Sequence, residues 1–499
     1  MVRRDEFRRV ADDVARQIEA GVLRAGDQLP PQRVFARRRR IANSTAIRVY
    51  GELARRGLVV GEVGRGTFVR AAAPHVGGAV ALTEGGAGAG VEEVGLSGLS
   101  GLSGLSGPAR PPGLSGLSGL ISLAPPTHTP TTPPINLELN YPVVEGQSEA
   151  MSRGLTPLLR ADVLREVTRV VAPGGTAEAR DAAVSVLARS GWRPEAERVL
   201  FAGNSRQAIA AALSSLARPG GRIGVEEVTY PLVKAIAGQL GVELVPVAVD
   251  EQGMVPGALA DAHGKASLSG VYVQPTLQNP LSVTAGEERR QELADVIERS
   301  GVLVVEDGTW GFLAPDAPAP LVARLPERVI FVDSLSKRLA PGLTVGMLVA
   351  PAAHLDALAH SLRSGAWTAG AFNLAAAVRW IADGTVERLV AAKRADAAVR
   401  HRIVRERLID AGVKGRFRTD TRAYYCWWEL PAPWRAETFV AAAADRGIGV
   451  TPGSAFVAGS HSVPDAVRIG LASPPLDVLA EALGVLGDVG GRGRRTRTS

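Results

Sequence analysis

A low-complexity stretch divides the chain into two parts. Residues 71–134 contain GLSGLSGLSGLSGPARPPGLSGLSGL and end in APPTHTPTTPP. Glycine and serine make a chain costly to order and proline removes backbone donors, so this stretch cannot bury enough surface to fold by itself. We predict a flexible linker over 71–134, although a leucine at every third position could dock weakly on a neighbouring surface. Each flank must then fold as its own unit.

The first flank carries the positive charge of the chain. Residues 1–70 hold 16 arginines and 8 acidic residues, a net charge of +8, whereas the whole chain of 499 residues has +7. A charge excess confined to one small unit favours a phosphate backbone as its partner. A solvated basic face would give the same count, so the charge needs support from structure.

The order of elements in residues 1–70 predicts a DNA-binding module. We expect an amphipathic helix over 5–20, a second helix over 32–39 and a third that has Asn43 or Ser44 as its cap. The segment LVVGEVGRGTFVR is typical of two short strands around a glycine turn. Helix, helix-turn-helix and wing together form a winged helix-turn-helix, whose third helix begins with small polar residues that can approach base edges.

Three segments of this module closely resemble the GntR family of bacterial transcription factors: GDQLPPQRVFA, NSTAIRVYGELARRGLV and GRGTFV. The resemblance implies double-stranded operator DNA as the partner. It implies DNA contacts by Arg33, by Asn43, Ser44 and Thr45 at the start of the third helix, and by the wing glycine Gly66. Arg48, one turn further along the helix, and Arg65 at the wing tip are placed to contact DNA as well. Family members often have arginine at position 43, so Asn43 either contacts an adenine edge or caps the helix.

The second flank, residues 135–490, alternates strand-like and helix-like segments. Apolar runs such as RVLFAG, RIGVEE, SGVYVQP, GVLVVEDG, RVIFVDS and GMLVAP recur, many of them separated by helical patterns such as SRQAIAAALSSLA. Strands with helical crossovers predict a mostly parallel sheet covered on both faces. The pattern turns helical after position 350 and ends in a smaller α+β region. We expect residues 491–499 to form a basic, disordered tail.

Residues of this flank match the four requirements of a pyridoxal phosphate site: an amine for the imine, an acid facing the pyridine nitrogen, a helix N-terminus for the phosphate and a stacking ring. Lys337 follows the strand RVIFVDS. Asp307 ends the strand GVLVVEDG, where buried strands direct their last residues into a crevice. Ser205 lies at a strand-turn-helix junction, and Tyr230 is the candidate stacking ring.

This order closely resembles the fold-type I aminotransferases, and behind a GntR-like module it resembles the MocR subgroup. The resemblance implies a winged helix over 1–70, a linker over 71–134 and an aminotransferase-like α/β domain with a small α+β subdomain over 135–490. It also implies a homodimer with pyridoxal phosphate as cofactor. By the same resemblance Lys337 is the Schiff-base lysine, Asp307 the pyridine partner, Asn279 the ring-hydroxyl contact and Tyr230 the stacking ring; Ser205, Arg206, Ser334 and Ser336 are phosphate contacts and Arg468 grips a ligand carboxylate.

Two departures from the family put retention of the cofactor in doubt. Thr344 stands where the family has an arginine paired with the phosphate, and Trp310 stands where it has a tyrosine that donates to the ring oxygen. Loss of one charged hydrogen bond costs roughly 1.5–3 kcal/mol. Arg206 or Arg338 could compensate for the first change, and the indole N–H of Trp310 for the second.

Three functions therefore remain open. The preferred one is a non-enzymatic DNA-binding regulator that senses pyridoxal phosphate, an amino compound, or both. The alternatives are a pyridoxal-phosphate-dependent aminotransferase fused to a DNA-binding module, and a regulator whose C-terminal domain has lost the cofactor and only dimerises. The single cysteine, Cys426, and the lack of an apolar signal or membrane segment predict a cytoplasmic protein without a membrane partner. We predict no metal site.

Overall fold

The structure is a computed structural model that describes residues 6–19, 22–23, 26–55, 58–62, 66–69, 135–189, 191–459 and 464–491. The predicted linker over 71–134, the wing residue Arg65 and the predicted tail after position 491 lie outside the described residues. Within the described part, no helix combines the length and the apolar character that crossing a membrane requires.

Three helices and a small sheet form the N-terminal unit. Its elements are α1 (Glu6–Glu19), β1 (Gln28–Leu29), α2 (Gln32–Arg39), α3 (Asn43–Arg55), β2 (Val59–Glu62) and β3 (Gly66–Val69). The strands pair antiparallel in the order β1-β3-β2, so the predicted winged helix-turn-helix is confirmed and gains a third strand. The predicted cap of α3 is wrong by at least one residue: the amide of Ala46 bonds to the carbonyl of Ala42, which makes Ala42 the capping position.

Apolar stripes on the three helices meet in one core. Val14 of α1, Phe35 of α2 and Leu53 of α3 are buried there together with Val69 of the wing. The hydroxyl of Tyr50 donates to a backbone carbonyl of the turn before α2 at 2.5 Å, so the phenol stays satisfied inside the core. This packing fixes α3 against α1 and α2 and leaves its N-terminal end exposed.

The effector unit, residues 135–491 where described, contains most of the regular structure. Its strands are β4 (Ile135–Asn136), β5 (Val199–Ala202), β6 (Arg222–Glu226), β7 (Glu243–Val247), β8 (Val249–Asp250), β9 (Gly253–Met254), β10 (Gly270–Val273), β11 (Val304–Asp307), β12 (Val329–Ser334), β13 (Gly346–Val349), β14 (Arg416–Thr419), β15 (Tyr425–Glu429), β16 (Ile448–Gly449), β17 (Thr451–Pro452) and β18 (Ala466–Gly470). Its helices are α4 (Gln147–Leu155), α5 (Ala161–Val167), α6 (Ala177–Leu187), α7 (Ser205–Leu216), α8 (Pro231–Leu240), α9 (Pro256–Lys265), α10 (Glu287–Ser300), α11 (Leu321–Arg324), α12 (Leu355–Ser364), α13 (Ala371–Ala382), α14 (Thr385–Val404), α15 (Ala436–Ala444) and α16 (Leu476–Gly491).

Seven of these strands form one mixed sheet in the order β5-β13-β12-β11-β10-β6-β7. All run parallel except β13, which is antiparallel to both of its neighbours. Alternate residues face opposite sides, so Phe331 enters the core beneath α6 and α13 while Ile330 enters the core beneath α7 and α12. The predicted α/β architecture is confirmed, and the carboxyl ends of β6, β10, β11 and β12 meet at one edge.

A smaller C-terminal subdomain adjoins this edge. Its four-stranded sheet has the order β14-β15-β18-β17, and α15 and α16 pack on it around Trp428 and Phe439. The start of the effector unit is tied to the same subdomain, because β4 pairs in parallel with β16. Residues 137–141 therefore leave the C-terminal subdomain and run to the edge of the large sheet.

Candidate functional site

A cavity of about 570 Å³ lies at the carboxyl edge of the large sheet. This volume includes space that is open to solvent. Seven residues selected from the sequence line it: Ser205, Tyr230, Asn279, Asp307, Trp310, Lys337 and Arg468. Seven more were not predicted: Glu138, Leu139, Asn140, Tyr141, Ile209, Gln274 and Thr309. The cavity is thus lined from the seven-stranded sheet and its loops, from the four-stranded sheet and from the segment after β4.

Lys337 lies in the turn after β12 and directs its amine into the cavity. Its Nζ donates to the carbonyl oxygen of Asn140 at 2.7 Å and lies 4.0 Å from the centroid of the Tyr141 ring. Burial lowers the pKa of Lys337 well below its usual value, and the nearby guanidinium groups of Arg206 and Arg468 lower the pKa further. The site therefore favours a neutral amine, which is the nucleophilic form.

Asp307 is the last residue of β11, and three protein donors surround its carboxylate. Oδ2 accepts from the hydroxyl of Tyr272 at 2.7 Å and from Nε2 of Gln274 at 2.9 Å, and Oδ1 accepts from the backbone amide of Thr309 at 2.9 Å. These bonds compensate for burial of the carboxylate. Burial, with the charge of Asp307 as a further cause, raises the pKa of Tyr272 well above its usual value, so this phenol stays a donor.

Gln274 joins Asp307 to the loop that carries Asn279. Its Oε1 accepts from the backbone amide of Asn279 at 3.0 Å, while its Nε2 bonds to Asp307. β10 ends at Val273, and Asn279 reaches the cavity from the loop beyond it. The side-chain oxygen of Asn279 accepts from Nη1 of Arg468 at 3.3 Å.

Arg468 enters the cavity from β18, and its hydrogen-bond partners among the described residues include no carboxylate. Its Nη2 donates to the carbonyl of Glu138, its Nη1 to Asn279, and its Cζ lies 5.1 Å from the centroid of the Phe456 ring. Burial lowers the pKa of Arg468 to about 10. A buried guanidinium that donates to neutral oxygens alone among the described residues suits an anionic ligand, because a planar fork pairs bidentately with a carboxylate.

Helix α7 begins at the rim of the cavity. Oδ1 of Asn204 accepts from the amide of Gln207 at 3.0 Å and so caps the helix. Asn204 has φ −164°, an extended backbone conformation. Ser205 lines the cavity, and Nη2 of Arg206, the second residue of α7, donates to the hydroxyl of Tyr141 at 2.9 Å.

Ser334 and Ser336 lie beside the cavity but do not line it. Oγ of Ser336 is 2.9 Å from Oγ1 of Thr344, and the amide of Ser336 donates to Oγ of Ser334 at 3.3 Å. Arg338 is held elsewhere: its Nη2 donates to Asp333 at 2.9 Å and its Nη1 to the carbonyl of Ser334 at 2.9 Å. Arg338 therefore cannot take the role of the arginine that Thr344 replaces.

The cavity has the groups that pyridoxal phosphate requires. An amine, a buried carboxylate, aromatic rings and the N-terminus of a 12-residue helix surround it. Three buried polar atoms of lining residues lack a hydrogen-bond partner among the described residues: Nδ2 of Asn140, Oγ1 of Thr309 and Nε of Arg468. Because buried polar groups are usually paired, a polar occupant fits this lining.

The candidate DNA-binding residues lie on the surface of the N-terminal unit. Arg33, Asn43, Ser44, Arg48 and Gly66 are exposed, and Thr45 is half-buried. The guanidinium of Arg48 lies 4.0 Å from the centroid of the Phe7 ring, so Arg48 leans toward α1. Gly66 has φ +123°, a conformation that L side chains rarely adopt, which explains a glycine at the start of β3.

The residues that the sequence did not reveal fall into two groups. Gln274 and Tyr272 lie at the carboxyl end of β10, and that position could have identified them, since neighbouring strand ends share one edge. Asn140 and Tyr141 follow a two-residue strand nearly 200 residues before Lys337. No periodicity or motif in the sequence indicates their approach to the lysine.

Comparison with known proteins agrees with this architecture. Residues 134–486 match the family described as aminotransferase class I and II, and residues 7–69 match the bacterial regulatory proteins of the gntR family. An archaeal alanine:glyoxylate aminotransferase superposes with a TM-score of 0.66 at 21% identity, covering 72% of this chain and 91% of that one. A kynurenine aminotransferase from Pyrococcus horikoshii gives 0.66 at 22% identity, covering 72% and 91%. These likenesses define the fold alone.

Relatives with regulatory names match part of the chain. The HTH-type transcriptional regulator YdeF of Bacillus subtilis is 27% identical over 53% of this chain and 56% of its own. The pyridoxine biosynthesis transcriptional regulator PdxR of Corynebacterium glutamicum is 30% identical over 38% of this chain and 41% of its own. The matches thus span about half the length of these relatives. The chain belongs to the aminotransferase class I and II family and carries an N-terminal domain that matches the gntR family of bacterial regulatory proteins, an arrangement consistent with GntR regulators of the MocR type.

Proposed function

We propose that the protein controls transcription in response to pyridoxal phosphate, alone or together with an amino compound, bound in the cavity around Lys337. The observation that carries this proposal is the shared cavity of Lys337 and Asp307, in which burial lowers the pKa of the amine. A depressed amine pKa next to a buried acid is typical of functional sites. Through the DNA-binding module, ligand binding would change the affinity of the protein for its operator.

Different residues of the cavity would hold different parts of this cofactor. Bound pyridoxal phosphate supplies an aldehyde carbon that an amine can attack. In our proposal Lys337 is that amine, Asp307 holds the proton of the ring nitrogen and Asn279 donates to the ring oxygen. Tyr230 covers one face of the ring, and Ser205 with the first amides of α7 holds the phosphate.

Arg468 suggests the chemical class of a second ligand. Its guanidinium is buried, faces the cavity and, within the described part of the chain, donates to neutral oxygens only. A compound with a carboxylate and an amine could therefore bind Arg468 with one end and approach the lysine with the other. The name of the Corynebacterium relative, a regulator of pyridoxine biosynthesis, supports instead a compound related to pyridoxine as the only signal.

We infer a homodimer as the regulatory unit. Val143, Leu159 and Val170 are large apolar residues with 61%, 62% and 102% of their surface exposed in the single chain. They lie within one stretch of the effector unit, and burial of such side chains against a second copy would remove them from water. A two-fold dimer would also present two DNA-binding modules to two half-sites.

The central test uses the purified full chain and the variant Lys337→Ala. Added pyridoxal phosphate should give the wild type a new absorbance band, which borohydride should abolish while it leaves the cofactor attached through a stable amine bond, and the variant should show neither the band nor the attachment. Duplexes selected from a random DNA pool would define the operator, and its affinity should change with the cofactor only in the wild type. A wild type without a band, or a variant that keeps both responses, contradicts the proposal.

The same purified proteins distinguish the proposal from the two alternatives, an aminotransferase and a domain that only dimerises. Lys337, Asp307 and Arg468 in one cavity also suit an aminotransferase, and conversion of an amino acid to its oxo acid by the purified wild type would establish that activity. A wild type that takes up no cofactor, yet forms dimers and binds DNA, would favour a domain that only dimerises. We expect neither outcome.

A further inference from the structure

We propose that Lys393 is a positioning residue for the cavity amine: it holds the turn that carries Lys337 and, through its positive charge, keeps the Lys337 side chain in its nucleophilic form. The inference deepens the proposed function and rests on it, because the amine of Lys337 is the group to which the ligand would bind. Lys393 belongs to α14 and is not among the residues that line the cavity. It therefore acts on the site through another residue.

Two hydrogen bonds connect Lys393 with the turn after β12. Its Nζ donates to the carbonyl oxygen of Lys337 at 3.2 Å and to that of Leu339 at 2.7 Å. Because buried carbonyl groups require a donor, one amine satisfies two acceptors of the same turn. The backbone is thereby fixed at the residue whose amine enters the cavity.

The helix that carries Lys393 is itself connected to the C-terminal subdomain. The hydroxyl of Tyr424 lies 2.7 Å from the carbonyl oxygen of Lys393 and 2.9 Å from Oδ2 of Asp396. Nε of Arg400 donates to the same oxygen of Asp396 at 2.7 Å, and Nη1 of Arg400 donates to the carbonyl of Leu471 at 2.6 Å. Lys393 thus joins the turn at Lys337 to a helix that several hydrogen bonds hold in place.

The amine of Lys393 can hold the turn in either protonation state. Lys393 is 0% exposed, and burial lowers its pKa to about 7 while the charge of Asp396 opposes this decrease. A neutral amine still has two N–H groups, one for each carbonyl oxygen, so the two hydrogen bonds do not depend on the charge. An apolar side chain of similar length would fill the same space without the cost of burying an amine, but it would leave both carbonyl groups without this donor.

The charge of Lys393 acts on the amine of Lys337. Burial is the largest cause that lowers the pKa of Lys337, and the positive charges of Arg206, Arg468 and Lys393 lower it further. Because Lys393 binds the carbonyl of Lys337 itself, the repulsion between two like charges in poorly hydrated surroundings disfavours a second proton. Below about pH 7, where Lys393 is charged, this repulsion favours a neutral Lys337.

Other charged and titratable groups face the same two amines. On α14, the charge of Asp396 raises the pKa of Lys393. Around Lys337, Arg206 approaches from α7 and Arg468 from β18. The cavity is also lined by Glu138, Tyr141, Tyr230 and Asp307. All of these groups stay the same when position 393 alone is substituted, so a comparison among variants of this residue isolates its contribution.

The first measurement follows the reactivity of Lys337 in the full chain without cofactor. The chain has five lysines, so brief labelling with acetic anhydride and mass spectrometry of the peptides give each lysine its own rate. The exposed Lys414 serves as the internal reference at each pH. In a profile from about pH 5 to about pH 10, Lys393→Met should move the midpoint of Lys337 upward by about 0.5–1 pH unit, because one repelling charge is lost.

The second measurement follows the backbone of the turn. The amide of Leu339 donates to the carbonyl of Leu335 at 2.7 Å, and hydrogen exchange at this amide reports local opening of the turn. Exchange in the peptide with residues 335–339 should be about 5- to 50-fold faster in Lys393→Met, because two hydrogen bonds are lost.

Two further variants separate the hydrogen bonds from the charge. Lys393→Gln keeps an N–H donor and removes the charge, so it should shift the midpoint of Lys337 as Lys393→Met does but accelerate exchange less. Lys393→Arg keeps both donor and charge and should leave both measurements near the wild-type values. If Lys393→Met does not fold, the difference in midpoint between Lys393→Gln and Lys393→Arg decides the same question.

Lys265→Met is the matched control, because Lys265 is the exposed last residue of α9, and it should change neither measurement. An unchanged midpoint in Lys393→Met and Lys393→Gln, or unchanged exchange in Lys393→Met, would overturn the role assigned to Lys393. Neither measurement uses the cofactor. A wild type that takes up no pyridoxal phosphate would therefore contradict the proposed function, while the midpoint and the exchange rate would still decide the role of Lys393.

Discussion

At the scale of single residues, the cavity contains two buried basic groups, the amine of Lys337 and the guanidinium of Arg468, that make few hydrogen bonds. Lys337 keeps one hydrogen bond, to the carbonyl of Asn140, and the neighbouring guanidinium groups discourage its protonation. Arg468 is buried against neutral oxygens. Such groups oppose folding in the empty protein, because a buried charge or amine loses its hydration. They become favourable when a ligand of complementary charge binds.

In the protein without cofactor, we expect the stability of the Lys337→Met variant to depend less on pH than that of the wild type. The pKa of the folded-state amine lies below its unfolded value of about 10.5, so the unfolded chain binds more protons as the pH falls from there. Wild-type stability is thus lost as the pH falls toward the folded pKa. Lys337→Met removes this loss and should be more stable near neutral pH, by roughly 0.5–2 kcal/mol.

Urea unfolding at about pH 7 and about pH 9.5 would check this, since the advantage of Lys337→Met should shrink as the pH approaches the unfolded pKa. Lys414→Met is the control, because Lys414 is exposed and its substitution should leave the free energy of unfolding unchanged at both values. A Lys337→Met protein that is less stable than the wild type near neutral pH would contradict the prediction.

At the scale of elements, the sequence predicts the strands that are long and buried. All seven strands of the large sheet correspond to apolar runs, and interior strands such as β11 and β12 are buried along their whole length because both of their faces are covered. The strands β1, β4 and β16 have two residues each, too few to show a period, and were missed. The omission of β4 matters, since its pairing with β16 directs Asn140 and Tyr141 to the lysine.

A buried ion triad fixes β12 to the elements around it. The carboxylate of Asp333 receives the guanidinium groups of Arg189 and Arg338, and its side chain is fully buried. Burial alone would raise the pKa of Asp333, but the two charges outweigh burial and hold the pKa below its usual value. The triad joins β12 to the turn that carries Lys337 and to the segment after α6.

Asp333→Ala is expected to destabilise the protein by about 3–5 kcal/mol, because two arginines would remain buried without an anion. Thermal or urea unfolding of the wild type and the variant measures the difference. Asp162→Ala serves as the comparison: it breaks the exposed pair with Arg160 and should leave the unfolding midpoint unchanged. A small effect of Asp333→Ala would mean that the triad contributes little to the fold.

At the scale of the whole molecule, the N-terminal unit and the effector unit touch each other at a defined place. The guanidinium of Arg435, the residue before α15, lies 4.1 Å from the centroid of the Phe68 ring in the wing. The same helix contacts the cavity side of the subdomain, because Oε1 of Glu437 accepts from Oγ of Ser454 at 3.0 Å. Two residues beyond, Phe456 lies against the guanidinium of Arg468. A continuous set of contacts thus connects the cavity with the wing.

Arg435→Ala should release the N-terminal unit from this docked position. A cation–π contact contributes about 0.5–1 kcal/mol at exposed sites and about 2 kcal/mol when desolvated; since Phe68 is buried and Arg435 half-buried, loss of the contact should shift the ratio of docked to undocked molecules about two- to thirtyfold. Small-angle X-ray scattering should then give a larger radius of gyration, since the predicted linker over 71–134 lets the released unit move away. Arg446→Ala, an exposed change shortly after the end of α15, should leave the radius unchanged. Equal radii for Arg435→Ala and the wild type would show that this contact does not hold the two units together.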